Sequence, residues 1–328
     1  MRTISIALIC LLVCIGCTET KKDKKKKSQS AMAHSVGKIN ELSVVIDNDL
    51  WKGAVGDTIR KYFAAEVPGL PQEEPLFSMR QLPLKAFSGL ARKNRTFIWI
   101  KKGEKDKKYF LLNNKFATPQ LGAVISGKTD EEIISLIHEN HETIISKFKN
   151  LETSEKQSRI KKSLEKIPQL KEKMGITLNV PSAYRIAKEE EGFFWIRKDI
   201  PQGSMNLMIY EMPLGAITKD SNTVSCIIKM RDSIGKHKIP TSASGKFITE
   251  EAYAPYLYET TLDNKFTFET KGTWEIKDRF MAGPFVNYAI EDKDNNRLLV
   301  LEGFVFAPSV NKRDNMFELE AIIKSVKF

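Results

Sequence analysis

Several stretches of this sequence carry residue types that could do chemistry. Gly122, Gly127, Lys128 and Thr129 complete the pattern G-x-x-x-x-G-K-[ST]. A phosphate-binding loop needs a strand that ends at its first glycine, so that backbone N–H groups wrap the phosphates. Here Ala123-Val124-Ile125-Ser126 suits a strand itself, Pro119 interrupts the approach, and Thr129 with Glu132 reads as a helix capping box. His138-Glu139-Asn140-His141-Glu142 has zinc-protease residue types, but its histidines are three apart. Two histidines share a helix face with one metal when they are four apart. His141 falls on the apolar stripe, as a packed histidine would. Ser158-Arg159-Ile160-Lys161 and Ser233-Ile234-Gly235-Lys236 fit S-x-x-K, yet Lys271-Gly272-Thr273 is not K-T-G and no S-D-N follows.

Glu73-Glu74 and Glu189-Glu190-Glu191 read as solvated charge. Cys226, beside Val224, Ile227 and Ile228, reads as an inert buried thiol. Tyr253, Tyr256 and Tyr258, with Trp274 and His141, are the candidates for a ligand groove. No catalytic residue, metal ligand or cofactor is assigned.

The elements that must position these side chains follow from periodicity. Leu42–Ile46 reads as a buried strand and Leu50–Phe63 as a helix. Strands are expected at Leu76–Leu84, Thr96–Ile100 and Tyr109–Leu112, the last two joined by a hairpin loop at Gly103–Asp106. A helix starts at Thr129, and a charged helical stretch runs from Thr153 to Lys173. In the second half, Phe193–Lys198 and Asn206–Tyr210 pair across a Pro201–Gly203 turn, followed by a helix over Thr223–Ser233. Antiparallel strands come next near Tyr256–Leu262, Thr267–Trp274, Phe285–Glu291 and Arg297–Phe306, and a helix closes at Asp314–Ser325. Phe97-Ile98-Trp99-Ile100-Lys101-Lys102 echoes Phe193-Phe194-Trp195-Ile196-Arg197-Lys198, which suggests two related units. The expected class is α+β: two related sheet-plus-helix units with mainly antiparallel strands, after a signal peptide and a disordered tether.

The N-terminus is the most specific signal. Ile4–Ile15 is apolar but shorter than the roughly 20 residues a membrane-spanning helix needs. It has the length of a signal-peptide core. Val13-Cys14-Ile15-Gly16-Cys17 resembles the lipobox of bacterial lipoproteins, with Cys14 standing where Leu is usual. That resemblance implies acylation of Cys17, and a two- or three-chain anchor is effectively permanent. Lys21, Lys22, Lys24, Lys25, Lys26 and Lys27 follow with no apolar periodicity, as in a flexible tether reaching about 25 Å. Near a surface these lysines could contact anionic lipid at roughly 1 kcal/mol each. The expected organisation is a signal peptide at 1–16, lipidated Cys17 and tether at 17–38, and α+β units at 39–174 and 175–328.

Of the formal charge of +11, Arg2 and the lysine-rich segment carry nearly half. The remainder is diffuse, which is no nucleic-acid signature. After removal of the signal peptide and lipidation of Cys17, Cys226 is the only cysteine left, so stability must come from apolar burial.

The chain also resembles an uncharacterised family of Bacteroidetes lipoproteins known only as a domain of unknown function. The residues that carry this are Val44-Val45-Ile46-Asp47-Asn48-Asp49-Leu50-Trp51, Gly53, Gly56-Asp57, Gly69 to Phe77, and Arg92 to Arg95. The second half resembles PsbP-like and Mog-like proteins at Leu178-Asn179-Val180-Pro181 and in its closing helix around Met316 and Leu319. These resemblances imply an outer-membrane lipoprotein. Lysines rather than acidic residues after Cys17 favour its periplasmic face. They supply no catalytic residues. The function expected is a non-catalytic binding or scaffold module for an envelope protein or cell-wall component. The alternative is an envelope hydrolase acting on peptidoglycan or glycan at a site between the units.

Overall fold

The structure is a computed structural model describing residues 32–241, 245–277 and 279–328. Cys17, the signal peptide and the lysine segment lie outside the described residues. The chain forms two sheets with helices packed on them, a mixed α+β fold in which antiparallel pairs predominate.

The first half begins with β1 (Glu41–Val45), α1 (Asn48–Lys52) and α2 (Ala54–Phe63). The expected single helix is divided at Gly53, whose backbone is extended. Then come β2 (Ser78–Leu82), β3 (Thr96–Lys102), β4 (Lys108–Asn113), β5 (Leu121–Gly127) and α3 (Asp130–Ile160). The sheet order is β2-β1-β3-β5-β4. Strands β2, β1, β3 and β5 run parallel, and only β4 is reversed.

This corrects the expected β3–β4 hairpin: β5 lies between the two strands and pairs with both. The reason is burial. All seven residues of β5 are buried, as expected for a parallel strand covered on both faces. One face packs on α2 and α3 through Val55, Ile59, Ile137 and Phe148. The other is closed by Phe87 and Phe116 over Phe97.

Gly122 lies inside β5, where an added Cβ would fall 2.1 Å from the Phe97 ring, so this glycine makes room for an aromatic ring. Thr129 accepts the Glu132 N–H at 3.4 Å and caps α3 as the sequence indicates. The charged stretch expected over Thr153–Lys173 is broken: α3 ends at Ile160 and α4 (Pro168–Met174) starts on a proline, which suits a first helical position.

The second half contains β6 (Arg185–Glu190), β7 (Phe193–Ile200), β8 (Gly203–Pro213), α5 (Thr223–Lys238), β9 (Lys246–Thr249), β10 (Tyr256–Leu262), β11 (Lys265–Lys277), β12 (Met281–Asp292), β13 (Arg297–Phe306) and α6 (Arg313–Ile323). The order β10-β11-β12-β13-β8-β7-β6 is antiparallel throughout, with β9 also paired to β11. Alternate residues face opposite sides. Leu299, Leu301 and Val286 pack with α6 and with Leu170 and Met174 of α4, while Val300, Phe304 and Phe285 pack under α5. The echoed aromatic blocks therefore occupy different settings: a parallel inner strand in β3 and an antiparallel one in β7.

The halves are joined by polar contacts. Glu74, expected in a solvated loop, is buried and accepts the backbone N–H groups of Lys312 at 2.6 Å and Arg313 at 3.0 Å. It caps α6, whose own N-cap Lys312 supplies no side-chain bond. A carboxylate there also meets the positive end of the helix dipole. Arg313 returns the contact, donating to the Pro75 carbonyl at 2.9 Å and Ser78 Oγ at 3.1 Å.

Candidate functional site

The segment Glu66–Pro75 leaves α2 and closes on itself through a Glu66–Pro75 bridge and a Val67 N–H to Glu74 carbonyl bond of 2.9 Å. Its tip lies on β11. Gly69 has φ +80°, and a Cβ there would fall 2.8 Å from Gly272 N and 2.9 Å from the Lys271 carbonyl carbon. Only glycine allows both the left-handed backbone and this approach. Gly272 itself leaves room on its other side, where a Cβ would fall 3.0 Å from the Phe285 ring and 3.2 Å from Pro255.

Where the tip stands off the sheet, a cleft of about 410 Å³ opens between Pro68–Pro71, the start of β10 and Gly272–Thr273 of β11. Tyr253 and Tyr256, 73% and 54% exposed, stand at its mouth. Glu66 and Glu250 also line it. Glu250 is fixed by a backbone N–H to Thr273 carbonyl bond of 2.9 Å and a carboxylate bond from Thr273 Oγ1.

Beside the cleft lies a buried charge cluster. Lys271 on β11 reaches Glu320 of α6 at 2.8 Å and Glu269 at 3.0 Å. Burial alone would pull Lys271 down, but Glu320 and Glu269 hold it above the ordinary lysine range. Burial would push Glu320 up, yet Lys271 and Lys324 bring it to about 2. Lys149 of α3 approaches from the first half. It donates to the Leu76 carbonyl at 2.7 Å and Asn40 Oδ1 at 3.0 Å, and lies 4.5 Å from the Phe77 ring centre. Burial draws it down to about 7, with Glu320 opposing and Arg313 and Lys271 assisting.

The structure separates the residues named for a groove. Tyr253 and Tyr256 come together at the cleft, and Tyr258 continues on the same face of β10. Trp274 is absent from the lining. It is buried, stacked on Phe247 at 4.9 Å, with its indole N–H on the Val305 carbonyl at 3.2 Å. Position 274 is on the opposite face from 271 and 273 for at least this indole, which packs under α5. His141 is also elsewhere, stacked on Tyr62 of α2 at 3.7 Å, while His138 Nδ1 meets the Tyr62 hydroxyl at 2.6 Å. Among the described residues, no cluster of three or more His, Cys, Asp or Glu is arranged to hold a metal.

Three further side chains differ from expectation. Cys226 is half-buried, and hydrogen bonds with the backbone and hydroxyl of Thr218 hold its thiol below the usual range. Glu189 and Glu190 lie on β6, paired with Lys173 at 2.6 Å and Lys188 at 2.9 Å.

Residues 163–325 match a family described as a domain of unknown function, DUF4837, and residues 35–161 match another so described, DUF8532. No curated protein matches the chain. Among solved structures, the Ran-binding protein Mog1p of Saccharomyces cerevisiae is similar at 9% identity and a TM-score of 0.28, covering 46% of this chain and 89% of that one. At that score the likeness carries no argument about function.

Sequence reasoning missed Glu66, Gly69 and Glu250 as neighbours of the tyrosines. Pro68-Gly69-Leu70-Pro71 has the composition of a turn, but nothing local says which strand it touches.

Proposed function

We propose that this chain is a membrane-tethered envelope module that binds a protein or cell-wall partner at the cleft between the Glu66–Pro75 loop and β10–β11. The observation that carries this reading is two exposed tyrosines at the mouth of a cleft to which both halves of the chain contribute. Aromatic rings held at a concave surface provide contact area at low entropy cost. The lipobox-like Val13–Cys17 segment supports anchoring through acyl groups on Cys17, and Lys21–Lys27 would rest on anionic headgroups. The resemblance to Bacteroidetes lipoproteins supports outer-membrane attachment, and the lysines after Cys17 favour its periplasmic face.

Two experiments test this. Cys17→Ser should release the protein from membranes; retention at unchanged apparent mass would remove the anchoring argument. A photo-crosslinking residue in place of Tyr253 should trap an envelope component in intact cells, and one in place of Phe110, exposed on β4, should not. Equal adducts at both positions would overturn the cleft.

A second reading has one specific observation behind it. Glu66 and Glu250 both line the cleft, and a carboxylate pair is what glycoside hydrolysis uses. Under that reading, purified peptidoglycan or glycan is cleaved by the parent and left intact by Glu66→Gln and Glu250→Gln.

A further inference from the structure

The strands at the ends of the two sheets differ in how they are finished. An exposed edge presents unpaired N–H and C=O groups, and proteins blunt it with charge, bulges, proline or short length. Strand β6 has a register shift between Ile186 and Lys188, with Arg185, Lys188, Glu189 and Glu190 along it. Strand β2 has five residues with Arg80 at its centre, and β4 begins on Lys108. Strand β10 carries a single charge, Glu259, and has no bulge and no proline over its seven residues. Its sequence is Tyr-Leu-Tyr-Glu-Thr-Thr-Leu, and all seven residues pair in unbroken register with Lys271 to Lys265.

Its free edge can be assigned from the turn. Asp263 and Asn264 both have positive φ, at 46° and 64°, and make a two-residue hairpin. The flanking pair Leu262–Lys265 then exchanges both backbone bonds, as do alternate pairs back along the strand. The N–H and C=O groups of Leu257, Glu259 and Thr261 therefore point away from β11. Among the described residues no loop or turn bonds to them. Glu259 is exposed, and no described cation pairs with it.

We infer that β10 is an acceptor edge, where an extended segment of a partner polypeptide adds as a further strand, with a Lys or Arg opposite Glu259. This goes beyond the cleft reading and can fail separately from it. Alternate side chains of the incoming strand would run beside Tyr256 and Tyr258 toward the cleft, the usual source of specificity when a strand is added. A second copy of this chain fits poorly. The centre of the seven-residue strand is Glu259, so a symmetric antiparallel pair would oppose two carboxylates.

The test uses the full chain and fluorescent ten-residue peptides of alternating valine and threonine with one central lysine or glutamate. The parent should bind the lysine peptide in preference, with new exchange protection at the amides of Leu257, Glu259 and Thr261. Glu259→Pro should weaken binding about tenfold or more, because it removes an outward donor while leaving the bonds to β11 in place. Should that variant fail to fold, Glu259→Lys decides: it must reverse the preference toward the glutamate peptide. Equal binding of both peptides, unchanged binding by either variant, or binding of peptide-free glycan strands in their place overturns the inference. If Glu259→Pro keeps the adduct at position 253, strand addition fails and the cleft reading stands. If position 253 traps nothing but Glu259→Pro loses the lysine peptide, the cleft reading fails and strand addition stands.

Discussion

Each half of the molecule contains one bidentate Arg–Glu pair with almost no exposure, and the two are built into different surroundings. In the first half, Arg95 Nε and Nη2 meet the two Glu152 oxygens at 2.8 and 2.9 Å. Arg95 also donates to the Lys38 carbonyl at 2.7 Å, and Glu152 accepts the Asn40 N–H at 3.0 Å. This pair satisfies backbone groups of the segment that leads into β1. In the second half, Arg231 of α5 meets Glu302 of β13 at 2.9 and 2.6 Å. Its other partners are side chains: Thr249 Oγ1, Asn287 at 2.7 Å from Glu302, and the Phe285 ring 3.4 Å from the guanidinium carbon. That pair, with Thr249 and Asn287, forms a polar plug in the apolar face under α5. The contrast teaches that a buried ion pair is hard to replace where it completes the backbone and easy to replace where it only fills a face.

The largest expected effects come from breaking either pair. Glu152→Ala and Glu302→Ala should each cost about 3–5 kcal/mol in urea denaturation, since each strands a buried guanidinium. Replacing both partners sharpens the comparison. Arg231→Met with Glu302→Leu should recover to within about 1–2 kcal/mol of the parent, as apolar groups refill the face and the Asn287 amide, which loses Glu302, keeps the Tyr210 hydroxyl at 3.4 Å. Arg95→Met with Glu152→Leu should remain about 2–3 kcal/mol below it, because the Lys38 carbonyl and the Asn40 N–H lose their partners. Equal recovery of both double variants would remove the distinction.

Next in size is Glu74→Ala, at about 1–2 kcal/mol, from loss of the α6 cap. Its signature is faster amide exchange at Lys312 and Arg313 with little change at α3. If exchange rises equally throughout, Glu74 does not act as a local cap.

The smallest effect is a slope. Lys149 titrates near 7 in the folded chain, below its ordinary value, because burial disfavours the ammonium. The unfolded chain therefore binds more protons from about pH 7 to the ordinary lysine range, and this residue's contribution to stability rises with pH across that window. Lys149→Met should compare least favourably with the parent at pH 9–10 and most favourably below about 7. A pH-independent difference in denaturation midpoints would place Lys149 at an ordinary pKa.

Much of the second half was legible locally. Alternation located β11, whose burial alternates along most of its length, whereas β12 and β13 are buried on both faces and were marked by continuous apolar runs between turn residues; β10 and β13 match at both ends. The capping residues at Thr129 and Glu132 were equally readable. The first half was less so. A fully buried strand such as β5 has no alternation to announce its neighbours, so its place between β3 and β4 was invisible. Glu74 looked like solvated charge because its partners, Lys312 and Arg313, are more than two hundred residues away. The candidate site was half legible: the tyrosines were visible as a cluster, whereas Trp274 and His141 turned out to be occupied by Phe247 and Tyr62.

By itself, the sequence determined the apolar run Ile4–Ile15 ahead of Cys17, the periods of most strands and helices, and the turns at glycine and proline. Those depend on neighbours within a few residues, where steric and solvation preferences act directly. The tertiary structure alone decided which strand lies beside which, which carboxylate caps which helix, and that Gly69 meets Gly272 to form a cleft. Those outcomes depend on long-range closure, in which burial rewards any apolar partner and only the packed whole selects one.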